Sequence, residues 1–553
     1  MIADGRSVSD DETVETDVCI VGAGVAGITL AREFVDQGFQ VLVLESGALQ
    51  REDDTQALYR GESVGHPYYP LHEARARYCG GSVNCWDVDL GDGRLGARLR
   101  PLDPLDFEPR DWVPYSGWPL DRSELEPFYE RAQWMFDIEE RSYAAEKWID
   151  DERRPRLRFV DDTVDTVIFK FSPQDRFLRH RDAVVRRADN VIVLIYANVV
   201  DIETESSGSV VRRLHVACLR GNRFTVSAKM FVLAAGGIET PRLLLSSSTV
   251  HAAGLGNGHD LVGRFFMEHL HFTSGVYVPA RELGPPMALY DRIHVVNGVP
   301  VVGKLALHET VLRRERLLNQ NVQLLPWHAP AAALYPAVIS RAANSVRTLV
   351  GAGSRLTIPD AVGEHLSNVV SGLDDVATQA YRKLRRTLAD RQRGKKLRLF
   401  RLANMAEQAP TPDSRVSLSA DRDALGQPLA KLDWRLSSID IDSVRRTQEL
   451  MDGALRRAGL GKLRIELRDD TPPVGGVPLG VHGGYHHMGT TRMHADPRKG
   501  VVDRDCRLHG TANLFIAGPS VFPTGGYANP TLTIVALALR LADHIKALMR
   551  DRA

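Results

Sequence analysis

Between Asp17 and Gly47 the chain reads DVCIVGAGVAGITLAREFVDQGFQVLVLESG, and this stretch narrows the possible folds more than any other. Val18–Val21 is a short apolar, β-branched run of the kind that forms a buried parallel strand. Gly22, Gly24 and Gly27 follow at GxGxxG spacing. Ile28, Leu30, Ala31 and Phe34 then recur as one face of a helix, and Gly38 supplies its stop signal. A second apolar run, Val41–Leu44, ends in Glu45. This is a complete strand–helix–strand unit of about 30 residues. The three glycines are needed for different reasons. Gly22 permits the tight turn, Gly24 lets the backbone approach a pyrophosphate, and Gly27 lets helix and strand pack closely. The helix N-terminus adds free N–H groups and a positive dipole end. Glu45 is placed to accept both hydroxyls of a ribose. The expectation is a dinucleotide site. The motif alone does not choose between FAD and NAD.

Other features bound the rest of the chain. It has 553 residues, with 70 basic and 70 acidic side chains. A neutral balance gives no global electrostatic reason for a nucleic-acid partner. Five cysteines, Cys19, Cys79, Cys85, Cys218 and Cys506, are too few for a disulfide scaffold, and no CxxC pair suggests zinc. No metal site is expected. The N-terminus is acidic, with no apolar signal region, and no run approaches the ~20 apolar residues of a membrane span. A reduced, cytoplasmic protein is the simplest expectation. Residues 1–15 read as a frayed leader.

Strand-like patterns return over 190–247, in VIVLIYANVVDI, VVRRLHVACL and KMFVLAAGGIETPRLLLSS, and again in the last 70 residues. NLFIAGPSVFP reads as a strand and loop. PTLTIVALALRLADHIKALM reads as a helix with Pro530 in its first turn. Ala235 and Gly236 stand at a strand end before a helix, where a segment can close back on a cofactor. No second GxGxxG occurs, which argues against a built-in NAD(P)H domain.

Four ordered segments carry a family resemblance: the N-terminal unit, CGGSVNCW, AAGGIETPRLLL, and the C-terminal GGYHHMGT with GGYANPT. Together they resemble the glucose–methanol–choline (GMC) oxidoreductases. The likeness fades over roughly 275–400. It implies an α/β fold, α+β overall: a Rossmann-like FAD-binding domain (14–90, 190–268 and 485–550) interleaved with a mixed-sheet substrate-binding domain (91–189 and 269–484). It implies FAD, oxidation of an alcohol CH–OH to a carbonyl, and oxygen or another electron acceptor.

By motif, His486 is the expected base and Asn529 its companion. A neutral imidazole takes a hydroxyl proton near pH 7. An amide cannot, but it donates a hydrogen bond to a developing alkoxide. His487 is the competitor, and it would point elsewhere in an extended segment. Expected cofactor contacts are Gly22, Gly24, Gly27, Glu45, Gly81, Ser82, Asn84, Cys85, Val199, Ala235, Gly236, Gly518, Pro530 and Thr531. Covalently flavinylated members carry a histidine where this chain has Cys85. Noncovalent FAD is therefore expected, with a cysteinyl thioether as the alternative. Gly518 and Pro519 stand where the family usually has an aspartate. The sequence looks closest to the sugar-oxidising bacterial branch, including pyranose oxidase-like and glycoside 3-oxidising enzymes. A sugar, glycoside or polyol is the expected substrate; a secondary-metabolite or sterol alcohol, or a non-redox lyase role, is the alternative.

Three further signals carry less. His269 and His271 in FMEHLHF are read as structural, with a substrate contact as the alternative. A basic run from Arg382 to Arg401 reads as a solvated face, with a membrane surface or anionic partner as the alternative. The proline-interrupted apolar stretch 324–340 fits a lid, an oligomer contact or a membrane-facing patch equally well.

Overall fold

The computed structural model describes residues 1–149, 153–219, 221–281, 287–327, 399–467 and 480–551; for 185–187 it describes the backbone alone. The bulk of the basic run and residues 328–340 of the apolar stretch lie outside the described residues.

The strand–helix–strand unit forms as its pattern predicts. Thr13–Val21 leads through the glycine turn to the helix Val25–Glu33, and Val41–Leu44 pairs parallel to the first strand. These strands sit in an eight-stranded sheet. Its order is Ile2–Asp4, Val191–Ile195, Val41–Leu44, Thr13–Val21, Arg223–Leu233, Val211–Ala217 and Asn198–Thr204. Leu514–Ile516 adds in parallel beside Phe231–Leu233, where the antiparallel neighbour has already left the strand. The C-terminal ends at Val21, Leu44, Leu233 and Ile516 therefore converge on one edge, the edge where open α/β sheets bind ligands. The apolar helix Thr531–Arg550 packs against Val25–Glu33 and Arg122–Met135 to cover one face.

The leader reading is overturned. Ile2–Asp4 pairs in parallel with Val193–Ile195, and the Met1 ammonium donates to the Val191 carbonyl at 2.7 Å. Asp4 pairs with Arg6 and accepts its backbone N–H, and Asp10 accepts the backbone N–H of Arg223. A three-residue edge strand needs no apolar run, so the composition concealed it.

A ten-stranded sheet stands opposite. Its order is Gly461–Ile465, Leu270–Pro279, Phe400–Ala406, Gln320–Pro326, Val299–Leu307, Val164–Pro173, Leu95–Leu99 and Val88–Asp89, with two short strands added at its sides. A three-stranded sheet joins Gly61–Gly65 to Pro428–Trp434 and Arg415–Arg422. Mixed architecture of this kind is the α/β, α+β class expected. The sheets cut across the expected boundaries in places. The helix Gln174–Arg187 packs on Val25–Glu33 and Val191–Ile195, so it belongs with the dinucleotide sheet. Val88–Asp89 belongs with the ten-stranded one. Among the described residues no helix is long and apolar enough to cross a membrane.

Candidate active site

One cavity of about 780 Å³ runs from the converging strand ends to the face of the ten-stranded sheet. That is within the ~300–1,000 Å³ range of ligand pockets. Of the expected cofactor contacts, every one except Gly27 lines it. Gly27 works from behind: a Cβ there would meet the Gly22 carbonyl oxygen at 1.9 Å, so no other residue fits without moving the loop. Gly22 has φ +104°, and a Cβ on it would press on the Ala234 carbonyl. A Cβ on Gly24 or Gly518 would meet nothing within 4 Å, and both face the cavity. The bare backbone there leaves room for a ligand. The Gly24 N-cap has no side-chain hydrogen bond, so the first N–H groups of Val25–Glu33 remain for an anion.

Glu45 is buried at the same end. Its carboxylate accepts from the N–H of Ala23 at 2.9 Å and of Gly47 at 2.8 Å. Burial pushes its pKa up while those donors hold it down. One lone pair on each oxygen is still free for a hydroxyl. Asn84 gives its amide N–H groups to the Cys79 and Gly81 carbonyls, so it shapes the 80–85 turn as well as lining the cavity. Arg75 and Arg77, unmarked by any motif, border this end. Both are ion-paired to Glu239, at 2.9 and 3.4 Å, and Arg242 is paired to Glu239 and Asp423. These residues fit the adenosine and pyrophosphate half of FAD: an anion cradle, a buried ribose acceptor and glycines that admit a ligand at van der Waals distance.

The deeper end holds His486 and Asn529. Asn529 Nδ2 lies 3.2 Å from His486 Nε2, and His486 Nδ1 lies 2.8 Å from His269 Nδ1. The tautomers follow from the far side of His269. Its Nε2 faces two carbonyl oxygens, of Gly526 at 2.9 Å and Gly525 at 3.2 Å, so Nε2 must carry a hydrogen. Burial lowers the His269 pKa to about 4, so the ring is neutral and its Nδ1 is a bare acceptor. His486 Nδ1 must then donate. The His486 ring is neutral too, its pKa held well below the usual range by burial and by His269, His271, His487 and Arg98. Its Nε2 is left as a lone pair, with the Asn529 N–H donating toward it. Asn529 Oδ1 is buried without a partner.

Other buried groups hold this arrangement. The Glu268 carboxylate accepts from the backbone N–H of His486 at 2.9 Å, of Gly484 at 3.0 Å and of His269 at 3.2 Å, and from the Tyr68 hydroxyl. Burial still raises its pKa to about 7. His487 points the other way: its Nε2 is 2.9 Å from the Tyr68 hydroxyl, and its ring stacks on Phe266. Burial lowers it to about 3. On the opposite side, a Cβ on Gly526 (φ +51°) would clash with Asp106 at 2.2 Å, so that loop has one path. The signal for His269 was present in the sequence. Residues two apart on an extended segment share a face, and His269 and His271 both face His486, with ring centroids 4.9 and 6.0 Å away. The structural reading of the pair is too narrow, since His271 also lines the cavity.

The rest of the deep end comes from the ten-stranded sheet: Arg98, His271, Lys304, Gln323 and Met405. Apart from His271, no motif marks any of them. Cys85 is exposed to the cavity, and the protein packed around that cavity raises its thiol above the ordinary value. Among the described residues no group of three His, Cys, Asp or Glu side chains is arranged to hold a metal.

Comparison with known proteins agrees with this geometry. Residues 17–255 match the family model of FAD dependent oxidoreductases, and residues 410–538 match that of GMC oxidoreductases. The chain is 24% identical to 2-methyl-1,2-propanediol dehydrogenase of Mycolicibacterium austroafricanum, covering 97% of this chain and 96% of that one. It is 39% identical to C-glycoside 3-oxidase of Microbacterium trichothecenolyticum over 24% of each. The fold resembles that of pyridoxine 4-oxidase from Mesorbium loti, with a TM-score of 0.50, 18% identity, and coverage of 96% and 98%. The chain belongs to the GMC oxidoreductases and is an FAD-dependent oxidoreductase of CH–OH donors.

Proposed function

We propose that the protein oxidises a hydroxyl of a sugar, glycoside or polyol, with His486 as the proton acceptor and Asn529 as the group that orients the alcohol. The carrying observation is the bare Nε2 of His486 beside an amide donor, at the end of a cavity whose other end fits a dinucleotide. Bound FAD supplies the hydride acceptor. The chain's own residues do the rest. An alcohol oxygen between the two side chains donates its O–H to His486 Nε2 and accepts the N–H of Asn529. As the carbinol hydrogen leaves, the proton passes to Nε2 and the amide N–H steadies the charge on oxygen. His269 and Glu268 hold the ring and its backbone in place.

The chamber's chemistry supports a polyhydroxylated substrate. His271 Nε2, Arg98 Nε and Asn529 Oδ1 are buried polar atoms without hydrogen-bond partners. Unpaired groups of this kind cost about 1–3 kcal/mol each until a ligand satisfies them. A sterol would leave them unpaired, whereas a polyol can satisfy several. The names of the relatives, a diol dehydrogenase and a glycoside oxidase, point the same way. FAD is bound without a covalent link in this reading: Cys85 stands where covalently flavinylated relatives carry a histidine, and its thiol is exposed with a pKa raised rather than lowered toward the thiolate. The proposal places the protein in a reducing, cytoplasmic setting, since all five cysteines are free thiols.

The test is anaerobic bleaching of the yellow protein by a panel of sugars, glycosides, polyols and sterols, then admission of air. Bleaching by the polyhydroxylated compounds supports the reading. Bleaching by sterols alone overturns it. Recolouring in air within seconds identifies an oxidase; persistence of the bleached state identifies a dehydrogenase with another acceptor.

A further inference from the structure

The two ends of the cavity treat positive charge differently. At the cofactor end Arg75, Arg77 and Arg242 are each tied to a carboxylate. At the substrate end Arg98 and Lys304 are not. Among the described residues the Arg98 side chain makes no hydrogen bond or ion pair, and its Nε is buried without a partner. Asp87 is close enough for its charge to be felt, but it makes no ion pair with Arg98. Lys304 is buried on Val299–Leu307. Its ammonium touches Asn321 Oδ1 at 3.0 Å and lies 4.2 Å above the Phe169 ring, neither of which is an anion. Burial first, and Arg98 second, push the Lys304 pKa well below the ordinary lysine value, and Arg98 also bears on His486.

An unpaired buried cation is expensive: a lysine so placed sheds its proton unless an anion restores the charged form, and an arginine, which cannot shed one, keeps the cost until an anion meets it. Both line the cavity beside His271 and His486. The neighbours available to offset them are a neutral histidine, a glutamine, a methionine and Asp87, whose charge Arg98 feels but which makes no ion pair with it and no contact with Lys304. The missing partner is an anion brought from outside.

From this geometry we infer that the substrate carries an anionic group, a carboxylate or a phosphate ester, seated between Arg98 and Lys304 while its hydroxyl lies at His486 and Asn529. This inference rests on the alcohol-oxidising reading above and narrows the substrate class within it. An anion in that place also offsets the positive field over His486, so the ring becomes a better proton acceptor when the right substrate is bound. Neutral sugars lack this assistance. Guanidinium pairs carboxylates and phosphates in a bidentate way, which gives specificity as well as affinity.

The test compares matched pairs on the FAD-loaded protein: methyl glucoside against methyl glucuronide, and a free sugar against its phosphate monoester. Binding is read by calorimetry and flavin reduction by anaerobic stopped flow. The anionic member of at least one pair should be favoured in both readouts, and which pair responds distinguishes carboxylate from phosphate. Arg98→Met and Lys304→Met should each shrink that preference by on the order of 10–100-fold, the worth of a hydrogen bond to a charged group. Equal handling of neutral and anionic members by the native protein would overturn the inference, even if neutral sugars bleach the flavin well. An equal loss for both members in Arg98→Met would assign the arginine to the flavin and overturn it too. If no compound of either kind bleaches the flavin, the alcohol-oxidising reading fails, and calorimetry still shows whether the anion seat exists.

Discussion

The cofactor end and the substrate end of the cavity are built by different means. The first is made of backbone: glycine turns at converging strand ends, a helix N-terminus, and one buried carboxylate held by two N–H groups. The second is made of single side chains from segments far apart in the chain, joined through hydrogen bonds that run from His269 through His486 to Asn529. A backbone-built site tolerates few sequences, because each glycine answers a steric demand. A side-chain-built site needs only the right atoms in the right place, and any segment can supply them. The two ends should therefore fail differently when perturbed.

The largest effect is expected at the cofactor end. Gly27→Ala puts a Cβ 1.9 Å from the Gly22 carbonyl. The loop must move, and the purified protein should be colourless, with its circular dichroism kept. A yellow variant with native flavin content would break the distinction. At the substrate end, Asn529→Ala should keep its FAD and lose on the order of 10²–10³-fold in flavin reduction rate, the cost of one donor to developing negative charge. Loss of flavin instead would show that the two ends are not separable.

His269 gives a finer test. His269→Ala removes the acceptor that fixes the His486 tautomer. Reduction should slow by about 10-fold, since a free imidazole still populates the useful tautomer. His269→Gln should restore much of the rate, because an amide can donate to the Gly526 carbonyl and accept from His486 Nδ1. The pH profile separates this from mere structural support. The His486 pKa is depressed, so the native rate should be flat near neutrality and fall only in acid, as Nε2 takes a proton. Part of that depression comes from His269. His269→Ala should thus move the acid limb to higher pH, and an unmoved limb would contradict the positioning role. The smallest effect is expected at Cys85. Cys85→Ser should leave turnover unchanged, and acid precipitation should release free FAD from both proteins. A yellow pellet from the native protein, colourless in the variant, would establish a thioether.

What could be read from the sequence divides along the same line. Gly22, Gly24, Gly27 and Glu45 announced their roles because local spacing dictates the turn, the helix and the second strand. His486 and Asn529 were reached through resemblance, not through pattern. Arg98, Lys304 and Glu268 were not reached at all. Arg98 and Lys304 lie on strands whose pairing depends on contacts across the chain, and buried cations look like surface ones in a sequence. Glu268 acts through three backbone N–H groups, two of them more than two hundred residues away. The short strand Ile2–Asp4 was missed because an edge strand does not need an apolar face.

The central claim is that His486 takes the hydroxyl proton. Its most direct test is the anaerobic flavin reduction rate of His486→Ala, measured with FAD content confirmed beforehand. The account predicts a full complement of FAD and a rate lower by about 10²–10⁴-fold, the usual worth of a general base. A variant that holds FAD and reduces it at the native rate would contradict the claim.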